Sequence, residues 1–250
     1  MAINYQSIVS EGLSKQIARS IRKAILDGSL QVDERLPTEE ELARQFNVSR
    51  PTVREALKRL AAQNLIRTQR GPAGGTFVNK PSFEESVNSI YTITTLLASI
   101  GEFNLHEIAE ARAELECVFS SFACANRREE HLEAMARELA LQKTAKLSDA
   151  EFCRSDVRFH QQIALATDNA VLVLVSRAIL EPLHPSANMT AFKYQDYSVI
   201  TRFHERLLDC IRDRDADCAQ KVIRSQMHYY QETYEHALDV KRQQSAALPF

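Results

Sequence analysis

No apolar run in this chain of 250 residues reaches the roughly 20 residues that a membrane-spanning helix needs, so no membrane partner is expected. The opening segment MAINYQSIVS has neither a charged leader nor a long apolar stretch, and nothing in it argues for export. Only five cysteines occur, irregularly spaced, which suits a reducing, cytoplasmic location. Cys117 and Cys124, two helical turns apart, read as core packing rather than ligands. Glycine and proline are scarce: beyond Pro81, proline returns only at Pro182, Pro185 and Pro249, so the rest of the chain is expected to be almost wholly helical. The length suggests two domains.

The net charge of −2 conceals an asymmetry: residues 1–80 carry +5 and residues 81–250 carry −7. A basic front attached to an acidic remainder suits a nucleic-acid module joined to a sensor or assembly domain.

Within the basic part, LPTEEELARQFNVSRPTVREALKRL (36–60) reads as two short helices around a tight turn. Thr38 is an N-cap with Glu41 three residues on, a capping box, and Leu42, Ala43 and Phe46 form a small apolar face. Asn47 and Val48 make the turn. Ser49 caps a second helix whose core stripe is Val53, Ala56, Leu57 and Leu60, with Arg50, Arg54 and Lys58 along its flank. From Arg44 to Arg70 there are seven basic side chains and one acidic one, Glu55. This is helix-turn-helix patterning, in which the first turn of the second helix meets base edges and phosphates. Two short β-prone runs, Leu65 to Gln69 and Thr76 to Val78, flank the turn-forming Arg70 to Gly75, which makes a wing. Upstream, Leu13, Ile17, Ile21 and Ile25 repeat every four residues and end at Gly28, a C-cap. The expected organisation is a winged helix-turn-helix over residues 10–78, a linker at 79–82 and an all-helical domain over 83–240.

IRKAILDGSL followed by LPTEEELARQFNVSRPTVREALKRLAAQNLIRTQRGPAGGTFV resembles the winged helix of GntR-family bacterial transcription regulators. The resemblance is carried by LP-x-E-x-x-LA (Leu36 to Ala43), VSR-x-TVR-x-AL (Val48 to Leu57) and the Gly-Thr-Phe-Val strand (Gly75 to Val78). It implies that Ser49, Arg50, Thr52 and Arg54 contact double-stranded DNA, with Arg70 and Gly71 at the wing tip; Lys58 extends the basic flank. The chain departs from the family at Val32-Asp33, where Pro-Gly is frequent, at Asn64, where glycine is frequent, and at Glu40, where some members place a basic contact. One recognition helix reads only a few base pairs, so a homodimer on an inverted-repeat operator is expected.

Amphipathic periods predict further helices near 83–99, 105–126, 129–146, 149–167, 170–181, 196–213 and 215–238, joined by short loops as in an antiparallel bundle. Glu181 to Pro185 ends a helix and stands as a candidate lid. In FCRSDVRFHQQI, Phe152, Asp156, His160 and Ile163 share one helical stripe, which sends a carboxylate and an imidazole at i, i+4 into an apolar interior. Such groups need partners, and a divalent cation would satisfy both. His204 lies beside the stripe of Phe203, Leu207 and Ile211; His228 lies off its own helix's stripe of Ile223, Met227 and Tyr230. Neither is compelling alone.

D-x-x-F-H, a histidine two helices later and another in the final helix resemble the FCD effector-binding domain of the FadR-type subfamily. The resemblance implies a divalent ion, commonly zinc or nickel, held by Asp156, His160, His204 and His228. EARAELE (110–116) is similar to the subfamily's E-x-R-x-x-LE segment, which implies that Arg112 faces the effector. A guanidinium beside a metal suits a small organic acid; the competing role for Arg112 is an intrahelical pair with Glu116. Two alternatives stand beside this metal-and-acid regulator: the same regulator with an acyl-CoA effector and no metal, and a metalloenzyme with a DNA-binding appendage. No further acid, base or nucleophile motif supports the enzyme.

Overall fold

The computed structural model describes residues 12–144, 147–183 and 196–246 and divides into two compact units, residues 1–85 and 86–250. The candidate lid reaches residues 184 and 185, which lie outside the described residues.

The first unit contains α1 (Leu13–Leu26), α2 (Glu39–Gln45), α3 (Arg50–Ala62) and an antiparallel hairpin of β1 (Ile66–Gln69) and β2 (Gly75–Val78), with Ile66 opposite Val78 and Gln69 opposite Gly75. Thr38 and Glu41 close the expected capping box, which satisfies two otherwise orphaned N–H groups at the start of α2. The apolar stripe of α3 is buried: Val53, Ala56 and Leu60 are fully enclosed, against Ile17 and Ile21 of α1, Leu42 of α2 and Ile66 and Val78 of the hairpin. Leu13, expected on the α1 stripe, is exposed.

Two of the three sequence departures have a backbone explanation. Asp33 and Asn64 take φ of 65° and 56°, the left-handed region that glycine enters at least cost, and Asn and Asp are the side chains that tolerate it best. The substituted positions therefore keep the turn geometry. At the wing, Gly74 admits no side chain, since a Cβ would stand 2.5 Å from the carbonyl oxygen of Gln69.

The second unit is helical throughout its described length: α4 (Phe83–Ser99), α5 (Leu105–Asn126), α6 (Glu129–Gln142), α7 (Asp149–Ala166), α8 (Ala170–Val175) running on as a π-helical turn (Ser176–Leu180), α9 (Tyr197–Arg212) and α10 (Ala216–Ala246). Asn104 and Ser148 cap α5 and α7 in capping boxes. The helix ends lie close to those the periodicity predicts, with α10 longest: it continues to Ala246 because no glycine or proline interrupts it before Pro249.

The core is built by α5, α6, α7, α9 and α10, with Phe119, Met135, Phe159, Ile163, Leu207, Ile211 and Ile223 buried at its centre. Helix α10 packs along both α5 and α9, and α7 packs against α5 and α6. Cys117 and Cys124 are core residues, as their spacing suggests. A disulfide joins Cys210 to Cys218 across the α9–α10 turn, which the irregular cysteine spacing does not foretell. No described helix is long and apolar enough to cross a membrane.

Candidate functional site

On the first unit, Ser49 sets the start of α3: its hydroxyl accepts from the Thr52 amide at 3.4 Å and lies 2.8 Å from the Thr52 hydroxyl. Arg50, Arg54 and Lys58 are exposed, as are Arg70 and Gly71 at the hairpin tip. Gly71 takes φ of 112°, so the tip depends on the missing side chain. Arg54 is not a bare cation. It forks onto Glu39 of α2, with Nη2 to Oε2 at 2.8 Å and Nε to Oε1 at 3.1 Å. The hydrogen bond from Arg54 holds the Glu39 carboxyl below its usual range. The pair ties α2 to α3 and fixes where the guanidinium stands.

In the second unit, α7 carries Asp156 and His160, α9 carries His204, and all three are buried. One ligand atom from each lies within 4.8 Å of the others. Asp156 Oδ1 is 3.1 Å from His204 Nε2 and 3.9 Å from His160 Nε2.

Their surroundings fix which nitrogen carries the proton. Gln142 donates its amide N–H to Ser155 Oγ at 3.2 Å, which turns its carbonyl oxygen toward His204 Nδ1, 2.7 Å away. His204 therefore donates from Nδ1. His160 Nδ1 lies 3.0 Å from Glu116 Oε2, a carboxylate that only accepts, so it too donates from Nδ1. Both Nε2 lone pairs then face the Asp156 carboxylate. Burial lowers the pKa of His204, so a proton is not readily placed between it and Asp156. Imidazoles oriented from behind by a carboxylate and an amide, with lone pairs converging on a carboxylate oxygen, form a donor set suited to a divalent cation.

The support extends further. Ser155 donates to Glu138 Oε2 at 2.8 Å, and Glu138 is clamped by Arg158 at 2.7 and 2.8 Å. Hydrogen bonds thus run from Arg158 to His204. Phe159 stacks on the His204 ring with centroids 4.3 Å apart.

Two buried polar atoms beside this cluster have no hydrogen-bond partner: Arg112 Nη2 and Gln226 Oε1. Arg112 is 5% exposed, with Nε 3.8 Å from Glu116 Oε1 and its guanidinium 5.7 Å from the centre of the Tyr230 ring. Its pairing with Glu116 is loose, and part of its fork is unspent. A buried donor without a partner costs about 1–3 kcal/mol, a deficit that an anionic ligand would remove.

The expectation for His228 is corrected. Its side chain is 71% exposed and its Nε2 lies 3.5 Å from Glu232, on the outer face of α10. The inner face at that level belongs to Ile223, Gln226, Met227 and Tyr230; two residues past Gln226, His228 is turned some 200° around the helix axis. Gln226, fully buried, stands where the third imidazole was expected, with Nε2 3.0 Å from His204 Nε2 and 3.5 Å from His160 Nε2. The signal in the sequence was a glutamine inside the stripe Ile223, Met227, Tyr230. Glu116 and Gln142, which orient the imidazoles, carry no sequence signature of that role.

Two family profiles match the chain: bacterial regulatory proteins of the gntR family over residues 13–78, and the FCD domain over residues 107–229. Among curated proteins, a putative L-lactate dehydrogenase operon regulatory protein of Escherichia coli K12 is 28% identical over 231 residues, 90% of this chain and 88% of that one. The HTH-type transcriptional repressor NanR of Citrobacter rodentium is 26% identical over 95% of this chain and 90% of that one. Among solved structures, Streptococcus agalactiae GntR superposes with a TM-score of 0.53 at 21% identity, over 88% of this chain and 99% of that one, a likeness of fold.

Proposed function

This chain belongs to the GntR family of bacterial regulatory proteins, with an FCD domain, and is a DNA-binding transcription regulator rather than an enzyme; from that premise we propose that it is a metal-dependent sensor of a small organic acid, acting as a homodimer on an inverted-repeat operator. The observation that carries the sensor reading is the convergence of two Nε2 lone pairs on Asp156 Oδ1. Asp156, His160 and His204 would hold the ion, which when bound supplies a positive centre for a carboxylate oxygen. Arg112 would take another oxygen of the same acid through its unspent N–H.

Charge supports the ligand class. Asp156 and Glu116 are negative and Arg112 positive, so a divalent ion leaves the buried group with one excess positive charge, which a single carboxylate cancels. A bulky acyl chain has no comparable support among these polar groups.

The dimer is supported by the operator argument and by a row of apolar side chains exposed along and just beyond α4: Ile93, Leu96 and Ile100 are each about 60% exposed (58%, 59% and 62%). An effector acts only through unequal affinity for two arrangements, so acid binding in the bundle would change the DNA-competent population of the winged modules through residues 79–82.

Two experiments test the reading. Arg54→Ala should weaken binding to the operator by about 1–3 kcal/mol in a mobility-shift titration; unchanged affinity would remove Arg54 from the interface. Titrating small carboxylic acids against the Ni²⁺-loaded protein should raise the melting temperature for a cognate acid by mass action, about 2.7 kcal/mol at 100 times its Kd. Stabilisation that persists undiminished after chelation would contradict the metal.

A further inference from the structure

We propose that Gln226 is the fourth protein ligand of this metal site, through its side-chain amide oxygen, making the set two imidazoles, one carboxylate and one neutral amide. The inference rests on the metal reading above and adds to it a residue type absent from the one-aspartate, three-histidine pattern.

Gln226 brings a side-chain amide to the two converging imidazoles. Gln226 is fully buried, its Nε2 crowded by His204 Nε2 at 3.0 Å, His160 Nε2 at 3.5 Å and the Tyr230 hydroxyl at 3.0 Å, while its Oε1 has no partner. Either orientation of the amide leaves its other end without a partner, so what stands at the imidazole end decides between them. Half a turn of the amide about its last torsion exchanges the two atoms. Oε1 then occupies the Nε2 position, directed toward the two imidazole lone pairs and within reach of the Tyr230 hydroxyl. Oxygen and nitrogens there can share only a cation, because all are acceptors.

Without the ion, the amide donates to His204 and offsets part of the opposition between lone pairs; with it, the same amide turns its oxygen inward. Gln226 thus serves both states, which an alanine or leucine cannot. Tyr230 holds the arrangement from the other side: its hydroxyl is 3.3 Å from Asp156 Oδ1 and can donate to either oxygen.

The consequence is a weaker and harder site than three imidazoles would make. An amide oxygen is a neutral, hard donor; it gives up affinity for Ni²⁺ and Zn²⁺ and narrows their advantage over Mn²⁺. The ion would be more readily exchanged, and the position of Gln226 would set which ion the regulator carries.

The test titrates Ni²⁺ and Mn²⁺ separately into the metal-free full-length protein, by calorimetry or competition with a chromophoric chelator. Gln226→Leu should lower Ni²⁺ affinity at least tenfold. Gln226→His should raise it at least tenfold and widen the preference for Ni²⁺ over Mn²⁺. Gln226→Glu, nearly isosteric, should tighten Mn²⁺ binding tenfold or more and covers the case in which the leucine variant does not fold, as judged by circular dichroism. His228→Ala should change nothing. Wild-type affinity in the leucine variant, or in the glutamate variant if leucine does not fold, overturns the role of Gln226 while leaving the metal reading intact. Failure of the wild-type protein to bind either ion overturns both.

Discussion

Asp156→Ala is expected to lower the affinity of the protein for a divalent ion by about 100-fold or more, beyond the ~10- to 100-fold that loss of an outer partner costs. In the proposed site Asp156 would supply the one negative charge, with His160, His204 and Gln226 as neutral donors. The metal-free variant should fold as well as the wild type or better, because the 3.1 Å approach of a carboxylate oxygen to the His204 lone pair is relieved. What should vanish is the rise in melting temperature on adding Ni²⁺. Asp156→Asn, which keeps the volume and one oxygen, should fall between. A variant that bound the ion as tightly as the wild type would mean that the cluster is a structural polar network instead.

Arg112→Met is expected to weaken acid binding by about 2–5 kcal/mol, roughly thirty- to several-thousand-fold, the range seen when one partner of a buried, hydrogen-bonded charge pair is truncated. Arg112 Nη2 is buried and unpaired, and the loose 3.8 Å approach to Glu116 does not satisfy the guanidinium. Arg112→Lys keeps the charge without the planar fork and should recover only part of the affinity. Ni²⁺ affinity should move little in either variant, which separates acid recognition from metal holding. If Arg112 serves only to pair with Glu116, the methionine variant will lose stability and spare the acid's affinity when calorimetry is run below its melting temperature.

The winged module was legible because its signals are local. Thr38 and Glu41 close a capping box within one turn, Ser49 caps α3, and the stripe of Val53, Ala56 and Leu60 can be read from spacing alone. Even the departures at Asp33 and Asn64 follow from local backbone: both residues accept positive φ. The Arg54–Glu39 brace, between side chains on different helices, was not legible, since nothing in the spacing says which acid lies opposite α3.

In the bundle, Asp156 and His160 announce themselves by breaking an apolar stripe. The fourth position shows the limit of that reasoning. A histidine is conspicuous in a list of residues, yet the face of α10 is decided by its angle about the helix axis, and there Gln226 points inward and His228 outward. Weight given to periodicity over residue type would have selected Gln226. Glu116 and Gln142, which orient the two imidazoles from α5 and α6, depend on how helices meet and leave no mark in their own segments.

The most direct test of the central claim is the operator affinity of the full-length protein, measured by fluorescence anisotropy on its own upstream promoter, with and without a stabilising carboxylic acid, before and after the metal is stripped. The acid should change DNA affinity by at least fivefold, the low end of ordinary coupling between sites, in the Ni²⁺-loaded protein and leave it unchanged in the stripped protein. An equal response in both forms, or no response to any acid that measurably stabilises the loaded protein, would contradict the account.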